Sequence, residues 1–206
     1  MMADKDREKK FGASESGGAA LIAVDVQNDF CLGGALEVPM GDEVVAPINK
    51  LIYSGLFDVI IFTKDRHPAN HCSFIENGGT WPKHCVKGTV GAELRPSLDY
   101  TGGIIVEKGG NAGTEAYSGF CGTGLAEVLR ARGIGRVFVC GLATDHCVKA
   151  TALDAKRLGF DTTIVIDACR GMDAAGVGRT VTELKRQGVK IALFDVVLAE
   201  GSGRNV

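Results

Sequence analysis

Short apolar runs that do not alternate recur along the chain: Ala20–Val26, Asp58–Thr63, Gly103–Glu107, Arg136–Cys140, Thr162–Ile166 and Lys190–Phe194. Each is about five residues long and most are rich in Val and Ile, as expected of strands buried on both faces of a parallel sheet. Between them the apolar spacing changes to that of helices. Asp42–Tyr53 puts Val44, Val45, Ile48, Leu51 and Ile52 on one face, and Gly124–Arg132 does the same with Leu125, Val128 and Leu129. Asp145–Leu158 carries Val148, Ala152, Ala155 and Leu158, and Ala174–Gln187 carries Val177, Val181 and Leu184. Gly159 and Gly188 stand where these last two helices should stop. Alternating strands and helices predict an α/β fold, a three-layer α/β/α sandwich around a six-stranded, mainly parallel sheet.

Residues 1–18 are charged and then rich in Gly and Ser, and read as a flexible tail ahead of a single domain over 19–206. Lys64–Tyr100 is the one long irregular stretch, and loops of that length usually carry function. Sites in α/β sheets gather at the carboxyl ends of the strands. Polar residues cluster at those ends: Asp25, Asp65, Lys108 and the segment Thr144–Cys147.

Composition narrows the class further. Of 206 residues, 45% are hydrophobic and 23% charged, which excludes a disordered chain, a collagen-like repeat or a coiled coil. The net charge of −2, without a basic cluster, argues against a nucleic-acid or membrane-surface partner. No apolar run approaches the ~20 residues of a membrane span. The seven cysteines are odd in number and contain no Cys-x-x-Cys, and Met1–Ser16 has no signal-peptide character. A reducing cytoplasm is the expected setting, with most thiols acting as small buried hydrophobes. Gly119–Gly124 does not follow a strand and reverses the glycine order of dinucleotide loops, and there is no phosphate-binding Gly-x-x-x-x-Gly-Lys motif.

Two sets of residues can carry chemistry. Asp65 and His67 project to one side of an extended segment, and His84 lies further along the same loop. One carboxylate and two imidazoles suit zinc, iron(II) or manganese, with His71 as a fourth ligand or neighbour and Cys85 as a substitute ligand. Surface histidines with no metal fit the same spacing. Cys147 follows a strand and opens a helix, where the dipole should lower its thiol pKa and free N–H groups can hold an oxyanion. A buried structural cysteine fits this position equally well. Asp25 and Lys108 belong on the same sheet edge, where an Asp can take a thiol proton and a Lys can stabilise either anion.

Five segments in order resemble the nicotinamidases of the isochorismatase-like cysteine hydrolases, over about residues 20–195. They are Val24-Asp25-Val26-Gln27-Asn28-Asp29-Phe30, Asp65-x-His67-Pro68-Ala69-Asn70-His71, Trp81-Pro82-Lys83-His84-Cys85, Glu107-Lys108-Gly109 and Ala143-Thr144-Asp145-His146-Cys147-Val148. The resemblance implies hydrolysis of nicotinamide to nicotinate and ammonia in NAD salvage, with Asp25, Lys108 and Cys147 as catalytic triad. It implies an oxyanion site at the N–H groups of Ala143 and Cys147, and a cis peptide between Leu142 and Ala143. It also implies one divalent metal, zinc first and iron or manganese next, held by Asp65, His67 and His84 with His71 nearby. Phe30, Trp81, Leu142 and Tyr117 would contact the substrate. Homo-oligomerisation is left open.

Other readings compete with this one. A different isochorismatase-like amidohydrolase would need no such metal set. An iron(II) oxygenase would use the same two-His-one-carboxylate donors, but usually on an all-β scaffold. A silent scaffold is hard to reconcile with an intact Asp25, Lys108 and Cys147.

Overall fold

The computed structural model describes residues 17–202. Six strands form one all-parallel sheet: β1 (Gly18–Val24), β2 (Val59–Asp65), β3 (Ile104–Lys108), β4 (Ile134–Leu142), β5 (Asp161–Arg170) and β6 (Lys190–Ala192), in the order β3-β2-β1-β4-β5-β6. Five α-helices cover it: α1 (Val45–Tyr53), α2 (Leu125–Ala131), α3 (Lys149–Arg157), α4 (Ala174–Arg186) and α5 (Phe194–Ser202). α1 and α5 pack together on one face, and α3 packs against α4 on the other. This is the predicted three-layer sandwich. It sets aside the all-β oxygenase reading.

Burial accounts for the uninterrupted apolar strands. Residues 19–24 of β1 are essentially inaccessible on both faces, and so are Val137, Val139 and Cys140 of the neighbouring β4. Strand order reverses between β1 and β4, which places a crevice above their carboxyl ends. Asp25 follows β1, Asp65 ends β2, Lys108 ends β3, and the Cys147 turn follows β4.

Several boundaries differ from the sequence expectation. β1 stops at Val24 rather than Val26 because Asp25 adopts φ 48°, a left-handed conformation that ends the ladder. The expected tail over 1–18 falls mostly outside the described residues, and its last residue, Gly18, opens β1. β6 is shorter than Lys190–Phe194, since Phe194 begins α5, a helix the apolar pattern did not separate from a strand. Thr144–Val148 forms a π-helical turn before α3. No helix among the described residues is long and apolar enough to cross a membrane.

Candidate active site

A buried ion cluster lies at the crevice. Lys108 Nζ stands 2.9 Å from Asp25 Oδ2, 2.6 Å from Asp65 Oδ1 and 3.4 Å from Cys147 Sγ, and it donates to the Ala116 carbonyl at 3.3 Å. Asp25 Oδ1 accepts the Thr63 hydroxyl at 2.6 Å, while Oδ2 faces the Lys108 ammonium without a well-angled hydrogen bond. Carboxylate oxygens of Asp25 and Asp65 and the Cys147 sulfur lie within 4.8 Å of one another. Asp25, Lys108 and Cys147, predicted on one sheet edge, are therefore in mutual contact.

Charge and burial set the protonation states. Burial alone would depress the Lys108 ammonium, but Asp25 and then Asp65 hold its pKa well above the ordinary lysine value. Burial raises Asp25 above the usual carboxylate range, against the pull of Lys108. Burial would also raise Asp65, but Lys108 and His67 hold it well below. The Cys147 thiol is pushed well up by burial, Lys108 opposes the shift, and Asp25 and Asp65 add to it. This corrects the expectation of a helix-start thiol with a lowered pKa. Dehydration and two nearby carboxylates outweigh the dipole at this depth.

A second set of donors adjoins the first. Asp65 Oδ2 lies 3.6 Å from His67 Nε2, and donor atoms of Asp65, His67 and His84 lie within 4.8 Å of one another. His67 Nδ1 is 2.9 Å from the Gly109 carbonyl, and His84 Nδ1 is 2.8 Å from the Pro82 carbonyl. Each imidazole therefore carries a proton on Nδ1, which leaves Nε2 as the nitrogen that can face a metal. Burial would lower the His67 pKa, but Asp65 raises it. Burial holds the His84 pKa down, in keeping with a neutral ligand. One carboxylate and two correctly oriented imidazoles fit a divalent transition metal. His71 is committed elsewhere. Its Nδ1 accepts the Ser73 N–H at 3.2 Å and faces the Ser73 hydroxyl at 2.7 Å, its Nε2 lies 3.2 Å from the Thr114 carbonyl, and its ring packs 4.1 Å from that of His67.

Cys147 of the first set and Asp65, His67 and His84 of the second line one cavity of about 500 Å³ including its open mouth, within the range of small-molecule sites, with Asp25 and Lys108 buried behind Cys147 and Asp65. Phe30, Trp81 and Tyr117 are among the residues that line this cavity. Trp81 Nε1 donates to the Tyr117 hydroxyl at 2.9 Å. Burial, and then Glu115, push that hydroxyl's pKa up to about 12, so it stays protonated. Ala143 and Cys147 also line the cavity, and the Leu142–Ala143 peptide is cis. Leu142 itself is buried in the core and does not line the cavity. Sequence reasoning missed Leu36, Val38, Met172 and His146, whose ring meets Trp81 edge-on at 5.0 Å. It also missed Thr63. The position of His146 next to Cys147 was the only available signal.

Comparison with known proteins identifies the family. The isochorismatase domain profile matches residues 19–193. The chain belongs to the isochorismatase family. It is similar to the nicotinamidase of Acinetobacter baylyi, at 40% identity over 185 residues, covering 79% of this chain and 86% of that one. Among solved structures it resembles the pyrazinamidase of Pyrococcus horikoshii in complex with zinc, with 45% identity, TM-score 0.80, and coverage of 85% of this chain and 99% of that one. It also resembles PnC1 of L. infantum in complex with nicotinate, with 38% identity, TM-score 0.82, and coverage of 86% and 93%.

Proposed function

We propose that this member of the isochorismatase family hydrolyses nicotinamide to nicotinate and ammonia through a thioester on Cys147. The observation that carries the reading is the contact of Lys108 with Asp25 and with Cys147, whose side chain lines the same cavity as the Asp65, His67 and His84 donors. The names of the relatives point to the same substrate class.

Cys147 starts as a thiol. Its sulfur attacks the amide carbon as its proton passes to Asp25, whose raised pKa makes it a stronger base than an ordinary carboxylate. The oxyanion is held by the N–H groups of Ala143 and Cys147. Asp25 then returns the proton to the amide nitrogen, the C–N bond breaks, and ammonia leaves a thioester. Water attacks the thioester carbon, giving its proton to Asp25. Collapse breaks the C–S bond and releases nicotinic acid, which ionises to nicotinate, while the proton on Asp25 returns to the sulfur. Lys108 stays charged and balances whichever of Asp25 or Cys147 is anionic.

Asp65, His67 and His84 would hold a divalent metal, zinc first. Such a metal would supply an electrophilic contact for the ring nitrogen, which would orient the amide over the sulfur. Phe30, Trp81 and Tyr117 contact the ring, and His71 supports His67.

The deciding assay is ammonia release from nicotinamide, with benzamide as the control that lacks the ring nitrogen. Nicotinamide should be turned over readily and benzamide at least about a hundredfold less efficiently. Equal rates on both would end the ring-nitrogen reading, and no release from nicotinamide would end the functional one. Elemental analysis should find close to one equivalent of transition metal per chain. His67→Ala combined with His84→Ala should lose it, and retention of the metal would overturn the ligand assignment.

A further inference from the structure

β1 leaves the sheet too early to finish its pairing with β2. The last register pair between them is Ala23 with Phe62, and the chain turns away at Asp25 once its N–H has reached the Thr63 carbonyl at 3.2 Å. Asp65 still pairs with Lys108 of β3 on its other side. The N–H and C=O of Asp65 that face β1 would therefore be orphaned in the interior, at a cost comparable to a lost hydrogen bond for each.

The side chain of Gln27 takes the place of the missing strand. Its Oε1 accepts the Asp65 N–H at 2.8 Å, and its Nε2 donates to the Asp65 carbonyl at 2.8 Å. The second Nε2 proton goes to the Ala92 carbonyl, also at 2.8 Å. Gln27 is wholly inaccessible to solvent. A side-chain amide thus stands in for a peptide group at the one β2 residue whose carboxylate reaches both Lys108 and the His67 imidazole.

We propose that Gln27 is a positioning residue for the metal: by clasping the Asp65 backbone it sets the direction of the carboxylate, although its own amide is spent on backbone groups. The proposal rests on Asp65 being a metal ligand. A purely structural glutamine would lower stability when replaced and leave metal affinity alone. One that aims Asp65 must change affinity in protein that is still folded, as residues supporting metal ligands do.

The experiment measures zinc affinity by competition with a chromophoric chelator. The proteins are wild type, Gln27→Leu, Gln27→Asn, Asp65→Asn and the core control Leu129→Ala, each checked for folding by circular dichroism. Leu129 is fully buried in α2 and reports general destabilisation. Gln27→Leu should weaken zinc binding on the order of 10- to 100-fold. Leu129→Ala should bind as wild type despite a comparable loss of melting temperature. Asn is one methylene shorter and cannot span both Asp65 groups, so Gln27→Asn should also weaken binding, and it decides the question if Gln27→Leu does not fold. Wild-type affinity in the folded Gln27 variants, with Asp65→Asn impaired, overturns the role of Gln27 alone. Wild-type affinity in Asp65→Asn overturns the ligand reading itself. Equal weakening in Leu129→Ala reduces Gln27 to a structural residue.

Discussion

Protein carrying Cys147→Ala is expected to fold, to keep its metal and to release no measurable ammonia from nicotinamide, a loss on the order of 10⁴-fold or more. Among the described cysteines, only Cys147 lines the cavity. Cys147 is the sulfur 3.4 Å from Lys108 in the cavity, and the other buried thiols, Cys31, Cys85, Cys140 and Cys169, do not line it. Removing one sulfur atom from a buried position should lower the melting temperature by only about 2–4 °C. Cys147→Ser should be nearly as inactive, because even a raised Asp25 carboxylate is a weak base for an alcohol. Its value lies in retaining a hydrogen-bonding group among Asp25, Asp65 and Lys108. Trapping radiolabelled nicotinamide in acid-quenched wild-type protein, and not in either variant, would locate the acyl group on this sulfur. Near-normal turnover in the alanine protein would end the covalent mechanism.

Much of this site was legible because its chemistry sits at strand ends. Asp25, Asp65, Lys108 and Cys147 each follow or end an apolar run, and in a parallel sheet such ends converge. The spacing of Asp65 and His67, which project to one side of an extended segment, with His84 further along the same loop, reported a donor set. Residues whose role comes from a partner distant in sequence were not legible. Thr63 matters because its hydroxyl meets Asp25, and Gln27 because β1 stops short of it. Neither fact is encoded near either residue. The thiol shows a different limit. A helix start after a strand predicts a lowered pKa, but burial among two carboxylates reverses the sign, and burial depth is a property of the whole fold. α5 escaped notice because a short apolar stretch reads alike as strand or helix.

The metal donors and the nucleophile form two sets of residues, one proposed to orient the substrate and one to react with it. Asp65 joins them: one carboxylate oxygen is 2.6 Å from Lys108 and the other 3.6 Å from His67 Nε2. Stripping the metal with a chelator should therefore do two things at once. Nicotinamide turnover should fall by about two to three orders of magnitude, because the amide is no longer oriented over the sulfur. Alkylation of Cys147 by iodoacetamide should slow by a smaller factor, roughly three- to tenfold. With no metal to share it, the charge of Asp65 bears fully on Lys108 and Cys147, and both effects oppose a thiolate. In the metal-free form the thiol pKa is held above its ordinary value, so its alkylation rate should rise as pH increases through the alkaline range and fall towards neutrality. Both rates are to be measured on one chelated sample whose circular dichroism matches the loaded protein, and zinc addition should restore them. An unchanged alkylation rate would mean that Asp65 does not couple the two sets. An equal collapse of both rates would mean that the metal supports the nucleophile itself, and orientation would no longer explain the loss of turnover.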